Sequence, residues 1–326
     1  MAGASSQVQT KREIGKATRD AFGRALEALG AHYPNLVVVD ADVGNSTRTE
    51  WFGQKYPDRF FNIGIAESNL VGVAGGLASS GKTSLIASFA AFVICNAYDQ
   101  LRMSVAYPGL DVKVVGSHAG VSIGEDGASQ MGIEDVSLAC SLPGFVVMVP
   151  ADEESAKAAT TAMLEYKGPV YLRVGRPDVP KVYTSSPAPF TIGKANTLRD
   201  GKDVTLVANG LLVAPALDAA DALAAEGIQA RVLDMHTVKP IDREALAQAA
   251  ADTGAVVVAE EHLAHGGLGS VVAMTLAEIH PVPIRYVNLG DQFGESGSPD
   301  ALIEKFGLTA ARVAEAARAA IAAKKR

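Results

Sequence analysis

Cysteine is nearly absent from this chain of 326 residues, with Cys95 and Cys140 its two examples. Both sit in apolar or helical stretches, match no disulfide framework and lack the paired spacing of a zinc site, so they read as packing residues. Basic clusters are missing too. With a net charge of −7 and no Lys/Arg run beyond the terminal KKR, the chain offers nucleic acid no electrostatic footprint. No segment approaches the roughly 18 consecutive apolar residues of a membrane span, and the N-terminus has no apolar signal region; the expected location is the cytoplasm, away from membranes. There is no internal repeat, and no low-complexity block beyond alanine-rich helices such as ARVAEAARAAIAAKK.

What remains, 48% hydrophobic and 20% charged, describes an ordinary globular protein long enough for about two domains. Apolar runs alternate with helical patterns: LVVVD (36–40), SLIASF (84–89), VKVVGS (112–117), FVVMVP (145–150) and VYLRVG (170–175). Strands that are apolar throughout, separated by helices, indicate a parallel sheet covered on both faces. The texture turns to Pro and Ser at TSSPAPFTIG (184–193), which marks a linker. Alternation then resumes with VTLVANG (204–210), ARVLDM (230–235), AVVVAE (255–260) and PIRYVNL (283–289). The expected fold is α/β, with two doubly wound domains of mainly parallel sheet covering residues 12–185 and 195–326.

Loops leaving the C-terminal ends of such strands carry the chemistry. Three compete. GLASSGKT (76–83) satisfies the phosphate-loop pattern G-x-x-x-x-G-K-[ST], but that loop must follow a strand and open a helix. Here a small-residue helix precedes it and a strand follows, so Gly81 reads as the residue just past a helix end. HGGLGS (265–270) lacks the third glycine of a dinucleotide fingerprint. NIGIAESN places Glu67 at a helix start among apolar neighbours. It is either a favourable N-terminal acid or a carboxyl that stays protonated and can donate or shuttle a proton. The third loop, SHAGVSIGEDGASQMGIED (117–135), has glycines for tight turns, and Glu125 and Asp126 suit a cation, a polyol or plain solvation. Calcium-loop spacing is absent. His118 is a ligand-binding group or a satisfied structural side chain, and Glu134 and Asp135 suit the first turn of the next helix.

Together these strings make a resemblance. ATRDAFGRALEALG, DADVGNST, NIGIAESNLVGVAGGLA, SFAAF, GSHAGVSIGEDGASQMGIED and LRVGRP occur in the order seen in the C-terminal half of transketolase, and EEHLAHGGLG and KFGL continue it. The resemblance covers the chain from about residue 17 onward. It implies a pyrimidine-binding domain for thiamine diphosphate followed by the transketolase C-terminal domain.

By this resemblance Glu67 hydrogen-bonds a pyrimidine nitrogen of the cofactor, Phe89 and Phe92 pack against the pyrimidine, and Asp42 is an acid near the cofactor. Spaced three apart, the two phenylalanines can share a helical face. Arg19, Ser46, His118 and Arg176 resemble the groups that hold a sugar phosphate, a task for which a guanidinium fork is well shaped. A sulfonate would suit the same groups. Asp126 matches the acid that orients a donor hydroxyl. Gln130 stands where many microbial members carry histidine, and an amide hydrogen-bonds but does not titrate.

The family's GDG motif and following asparagine, which hold Mg2+ and the diphosphate, are missing from this sequence. The expectation is a split enzyme. This chain would be the second subunit, with no metal ligand of its own, and an N-terminal transketolase subunit would hold Mg2+ and the diphosphate in a heterotetramer; the initiating methionine and short polar tail suggest a natural start. The expected activity is transfer of a two-carbon ketol unit between sugar phosphates. The beta subunit of a 2-oxoacid dehydrogenase is the alternative, and a phosphate-loop ATP-binding protein a remoter one.

Overall fold

The computed structural model describes residues 12–324. The first sheet contains β1 (Leu36–Asp40), β2 (Phe60–Asn62), β3 (Thr83–Phe89), β4 (Val112–Ser117), β5 (Val146–Met148) and β6 (Val170–Arg173). The second contains β7 (Asn196–Arg199), β8 (Val204–Ala208), β9 (Ala230–Asp234), β11 (Val256–Ala259) and β12 (Ile284–Val287), while β10 (Thr237–Lys239) crosses to the first. The orders are β10-β5-β6-β4-β3-β1-β2 and β12-β11-β8-β9-β7. Pairing is parallel except for β10 on β5 and β7 on β9. The chain is therefore α/β with two mainly parallel sheets.

The central strands are buried on both faces, as in β1, β4, β6, β8 and β11, which explains why they read as unbroken apolar runs. Three strands went unread. β2, β7 and β10 are short, lie at sheet edges and lack an apolar run, so nothing local distinguishes them from loop. Strand β10, from beyond the linker, completes the first sheet by pairing with β5. One apolar cluster accordingly runs from Phe145 and Val147 through Met235 and Val238 to Leu246.

Residues 184–193 form no helix or strand. Their start is anchored by Asp152, which caps the helix Glu153–Glu165 by accepting from Ser155 N at 2.9 Å. Its other oxygen accepts from the amides of Val182 and Tyr183, each at 2.8 Å. Among the described residues no helix is long and apolar enough to cross a membrane.

The helix Glu67–Ser79 ends in a glycine turn. Gly81 has φ +87°, its amide donates to Ala78 O at 3.0 Å, and Lys82 N donates to Leu77 O at 3.1 Å, before β3 begins at Thr83. This is the paired closure of a Schellman turn. GLASSGKT thus runs from helix to strand, the reverse of a phosphate loop.

Candidate active site

Strands β1, β3, β4 and β6 are neighbours, so the loops after them emerge side by side at one sheet end. Phe89 is the last residue of β3, His118 follows β4, Arg176 follows β6, and Ser46 lies in the short helix Gly44–Thr47 after β1. Arg19 comes from the first turn of the helix Thr18–Leu29, which is tied to the same region by Gly175 N donating to Thr18 Oγ1 at 2.7 Å.

His118 is the hub. Its backbone is left-handed at φ +56°, unusual for a side chain other than glycine, and it is only 2% exposed. Arg19 Nη1 lies 2.9 Å from Nε2, and Ser117 Oγ lies 2.8 Å from Nδ1. A guanidinium has no acceptor, so Nε2 accepts and the ring proton is assigned to Nδ1. Burial first, then Arg19, Arg176 and Arg48, pushes the imidazole pKa down to about 3. The ring stays neutral. It stacks on Phe89 with centroids 3.9 Å apart, and Phe89 stacks on Phe92 at 5.6 Å.

That second stack corrects one expectation. The two phenylalanines do not share a helical face, because Phe89 ends a strand and Phe92 sits in a π-helical turn, Ala91–Asn96. Glu67 opens its helix, 4% exposed, with Ser88 Oγ donating to Oε1 at 3.0 Å. Ser88 precedes Phe89, so the buried carboxyl and the aromatic stack share one strand end.

The anion-binding candidates converge in part. Arg19 Nη1 also donates to the carbonyl of Ser46 at 3.1 Å, while its Nε is buried without a hydrogen-bond partner and has only the ionic contact of Asp20 at 3.8 Å. Arg176 Nη1 donates to Ile123 O at 3.2 Å and to Asp126 Oδ1 at 3.0 Å, so the expected anion ligand and the expected hydroxyl-orienting acid form an ion pair. Gln130 is half-buried at the end of the turn Ala128–Gln130. Asp42 stands apart, exposed, at φ +63°, accepting from Asn62 Nδ2 at 2.7 Å. The buried acid of DADVGNST is instead Asp40, held by Val43 N and the hydroxyls of Thr47 and Thr49.

Sequence reasoning overlooked how the 117–135 loop is held. Glu261, 4% exposed, accepts from Ser122 N at 2.6 Å and Ser122 Oγ at 3.2 Å. Gly120, at φ +84°, is where a Cβ would collide with that carboxylate. Arg173 Nη2 binds Gly132 O at 3.0 Å and Glu261 O at 2.9 Å, and its Nε binds Asp135 Oδ2 at 2.9 Å. Farther along, Gly124 and Gly127 make room for Pro299 and Ser296. The residues after β11 therefore act as a template for the loop. EEH (260–262) was visible in sequence, but nothing local linked it to a loop some 140 positions earlier.

A family model described as "Transketolase, pyrimidine binding domain" matches residues 15–181, and one described as "Transketolase, C-terminal domain" matches 193–313. The chain belongs to the transketolase family. Among its relatives is the "6-deoxy-6-sulfo-D-fructose transketolase subunit SqwH" of Clostridium sp. (strain MSTE9), 44% identical across 92% of each chain. Human "Transketolase" is 36% identical over 94% of this chain but 49% of its own length. The solved structure "Split gene transketolase, inactive beta4 tetramer" is 47% identical with a TM-score of 0.87, over 95% of this chain and 100% of that one.

Transketolases generally use thiamine diphosphate. The pyrimidine end of that cofactor fits the donor set here, since the buried carboxyl of Glu67 is held by Ser88, the residue before Phe89, whose ring stacks with Phe92. Among the described residues no three His, Cys, Asp or Glu side chains converge as a metal ion would require.

Proposed function

We propose that this chain is the C-terminal subunit of a two-subunit transketolase, which transfers a two-carbon ketol unit from a ketose to an aldose carrying a terminal oxyanion. Domains at 12–185 and 195–326 fit this reading. One observation carries it: Ser88, which donates to the buried carboxyl of Glu67, and Phe89, which stacks on the Arg19-bound His118, are consecutive residues at the end of β3. Further support is that the chain spans about half of human transketolase and the whole of the split-gene structure.

Thiamine diphosphate, when bound, supplies a nucleophilic carbon and an electron sink. Glu67 would hydrogen-bond a pyrimidine nitrogen and hold a proton there, Phe89 and Phe92 would pack against the ring, and Asp42 would be an acid near the cofactor. Arg19, Ser46, His118 and Arg176 hold the terminal oxyanion. Substrate draws Arg176 away from Asp126, freeing that carboxylate to orient a donor hydroxyl. His118, neutral, donates to the oxyanion from Nε2 once Arg19 leaves that nitrogen for the anion and the ring takes its other tautomer, and Gln130 contributes hydrogen bonds without proton transfer. Mg2+ and the diphosphate belong to an N-terminal partner subunit, in a heterotetramer. The oxyanion is a phosphate or a sulfonate; the name of the 44%-identical relative carries the latter.

The test is an assay of this chain, its presumed partner and the two together, with thiamine diphosphate and Mg2+, against phosphorylated and sulfonated ketose donors. Activity only in the mixture is expected. Full activity from this chain alone would overturn the split-enzyme reading.

A further inference from the structure

Arg48 is a third guanidinium at the anion site, and neither the family models nor the sequence motifs assign it. It lies between the short helices Gly44–Thr47 and Thr49–Lys55 in a left-handed conformation, φ +68°. That backbone turns its side chain back over the helix Thr18–Leu29, where Nε meets Asp20 Oδ1 at 2.6 Å and Nη1 donates to the carbonyl of Asn45. The stem needs the space left by Gly23, where a Cβ would collide with Arg48 and Trp51.

Arg48 and Arg19 are linked twice. Arg19 Nε lies 3.8 Å from the same Asp20 oxygen, and Arg19 Nη1 binds the carbonyl of Ser46, the residue after Asn45. A continuous series therefore runs Arg48, Asp20, Arg19, His118, from a side chain one-quarter exposed to an imidazole that is buried. Three guanidiniums at this mouth (Arg19, Arg48, Arg176) face three carboxylates (Asp20, Asp126, Asp178). The mouth is balanced before an anion arrives. An entering oxyanion competes with these carboxylates for the forks, and Arg48, more exposed than Arg19, turns inward by giving up Asp20 and the face of the Trp51 ring, whose centroid lies 5.4 Å from its guanidinium carbon.

We propose that Arg48 is a specificity-determining residue that exchanges Asp20 for the terminal oxyanion of the substrate, so that the site favours anionic over uncharged sugars. This rests on the reading of the site given above.

Two measurements on the assembled two-subunit enzyme test it. Calorimetric titration with inorganic phosphate should show Arg48→Ala binding roughly tenfold or more weakly than the wild type, as expected for a lost charge-assisted fork, with Arg48→Lys between them. In steady-state assays, Arg48→Ala should lower the preference for an anionic donor over an uncharged ketose of the same skeleton by a similar factor. Asp20→Asn should move that preference the other way, because it removes the competing carboxylate, an inversion that a structural role for Arg48 would not produce. Equal phosphate affinity in wild type and Arg48→Ala, or equal losses on both donors, would overturn the assignment. If the assembled enzyme transfers no ketol unit from any donor, the proposed function fails, and the phosphate titration still decides on Arg48 alone.

Discussion

The imidazole of His118 lies flat on the ring of Phe89, with planes 8° from parallel. This contact joins a side chain expected to face the cofactor with one expected to face the substrate, so a change in either is felt by both. It also excludes water from one face of the imidazole, consistent with burial as the leading cause of its low pKa.

From that follows a pH dependence. The unfolded ring takes up a proton near pH 6.5 and the folded one only at about 3. The stability attached to neutral His118 is therefore complete above pH 6.5 and is lost as pH falls toward 3. His118→Asn, which tolerates the left-handed backbone, should flatten part of this acid branch in melts recorded from pH 4 to 7. The kcat/KM profile of the wild type should show no step near pH 6.5 that disappears in this variant.

Glu67→Ala should reduce ketol transfer by on the order of 10²- to 10⁴-fold, the usual worth of a positioned proton-handling group. Its fold should persist in circular dichroism. Lys82→Ala, past a helix end on the exposed GLASSGKT turn, should change activity by less than about twofold, since surface substitutions remote from a site do little. The reverse pattern would refute the assignment of Glu67.

Glu261→Ala strips Ser122 of both side-chain acceptors and leaves a buried backbone donor unpaired, at a cost of about 1–3 kcal/mol. A lower Tm is expected, together with greater proteolytic sensitivity at 117–135 and a larger loss in kcat/KM than the Tm change alone accounts for. Glu261→Gln, which keeps an acceptor for Ser122 N, should recover most of the activity. If it does not, the loop is held by something other than that hydrogen bond.

Asp234 supplies a stability test of opposite sign. Burial pushes its carboxyl up to about 7, against the donated hydrogen bond of Tyr183 OH at 2.6 Å, and its Oδ1 is buried without a partner. Its contribution is present in full below the unfolded value near 3.9 and is lost as pH rises through 7. Asp234→Asn should raise Tm by several degrees at pH 8 and change it little at pH 4, as differential scanning calorimetry would show.

The sequence made the central strands legible because burial on both faces leaves an unbroken apolar signature, as in LVVVD and VKVVGS. It also showed that GLASSGKT runs the wrong way for a phosphate loop, since helix and strand textures differ on its two sides. Arg48, Asp20 and Glu261 were not legible. Each acts on a partner at least 28 positions away, and no periodicity or turn signal encodes such pairings. The Phe89 and Phe92 pair shows the same limit at short range, where spacing gave the contact and misjudged the backbone beneath it.

Strand β10 changes what the linker means. Cutting the chain in the Pro/Ser stretch at 184–193 would leave β5 as a bare sheet edge in one fragment and β10 without a partner strand in the other. An exposed apolar edge of this kind recruits other chains. The segment that looks like a hinge between two modules is thus a poor place to divide them, and the two halves are expected to need one another to stay in solution.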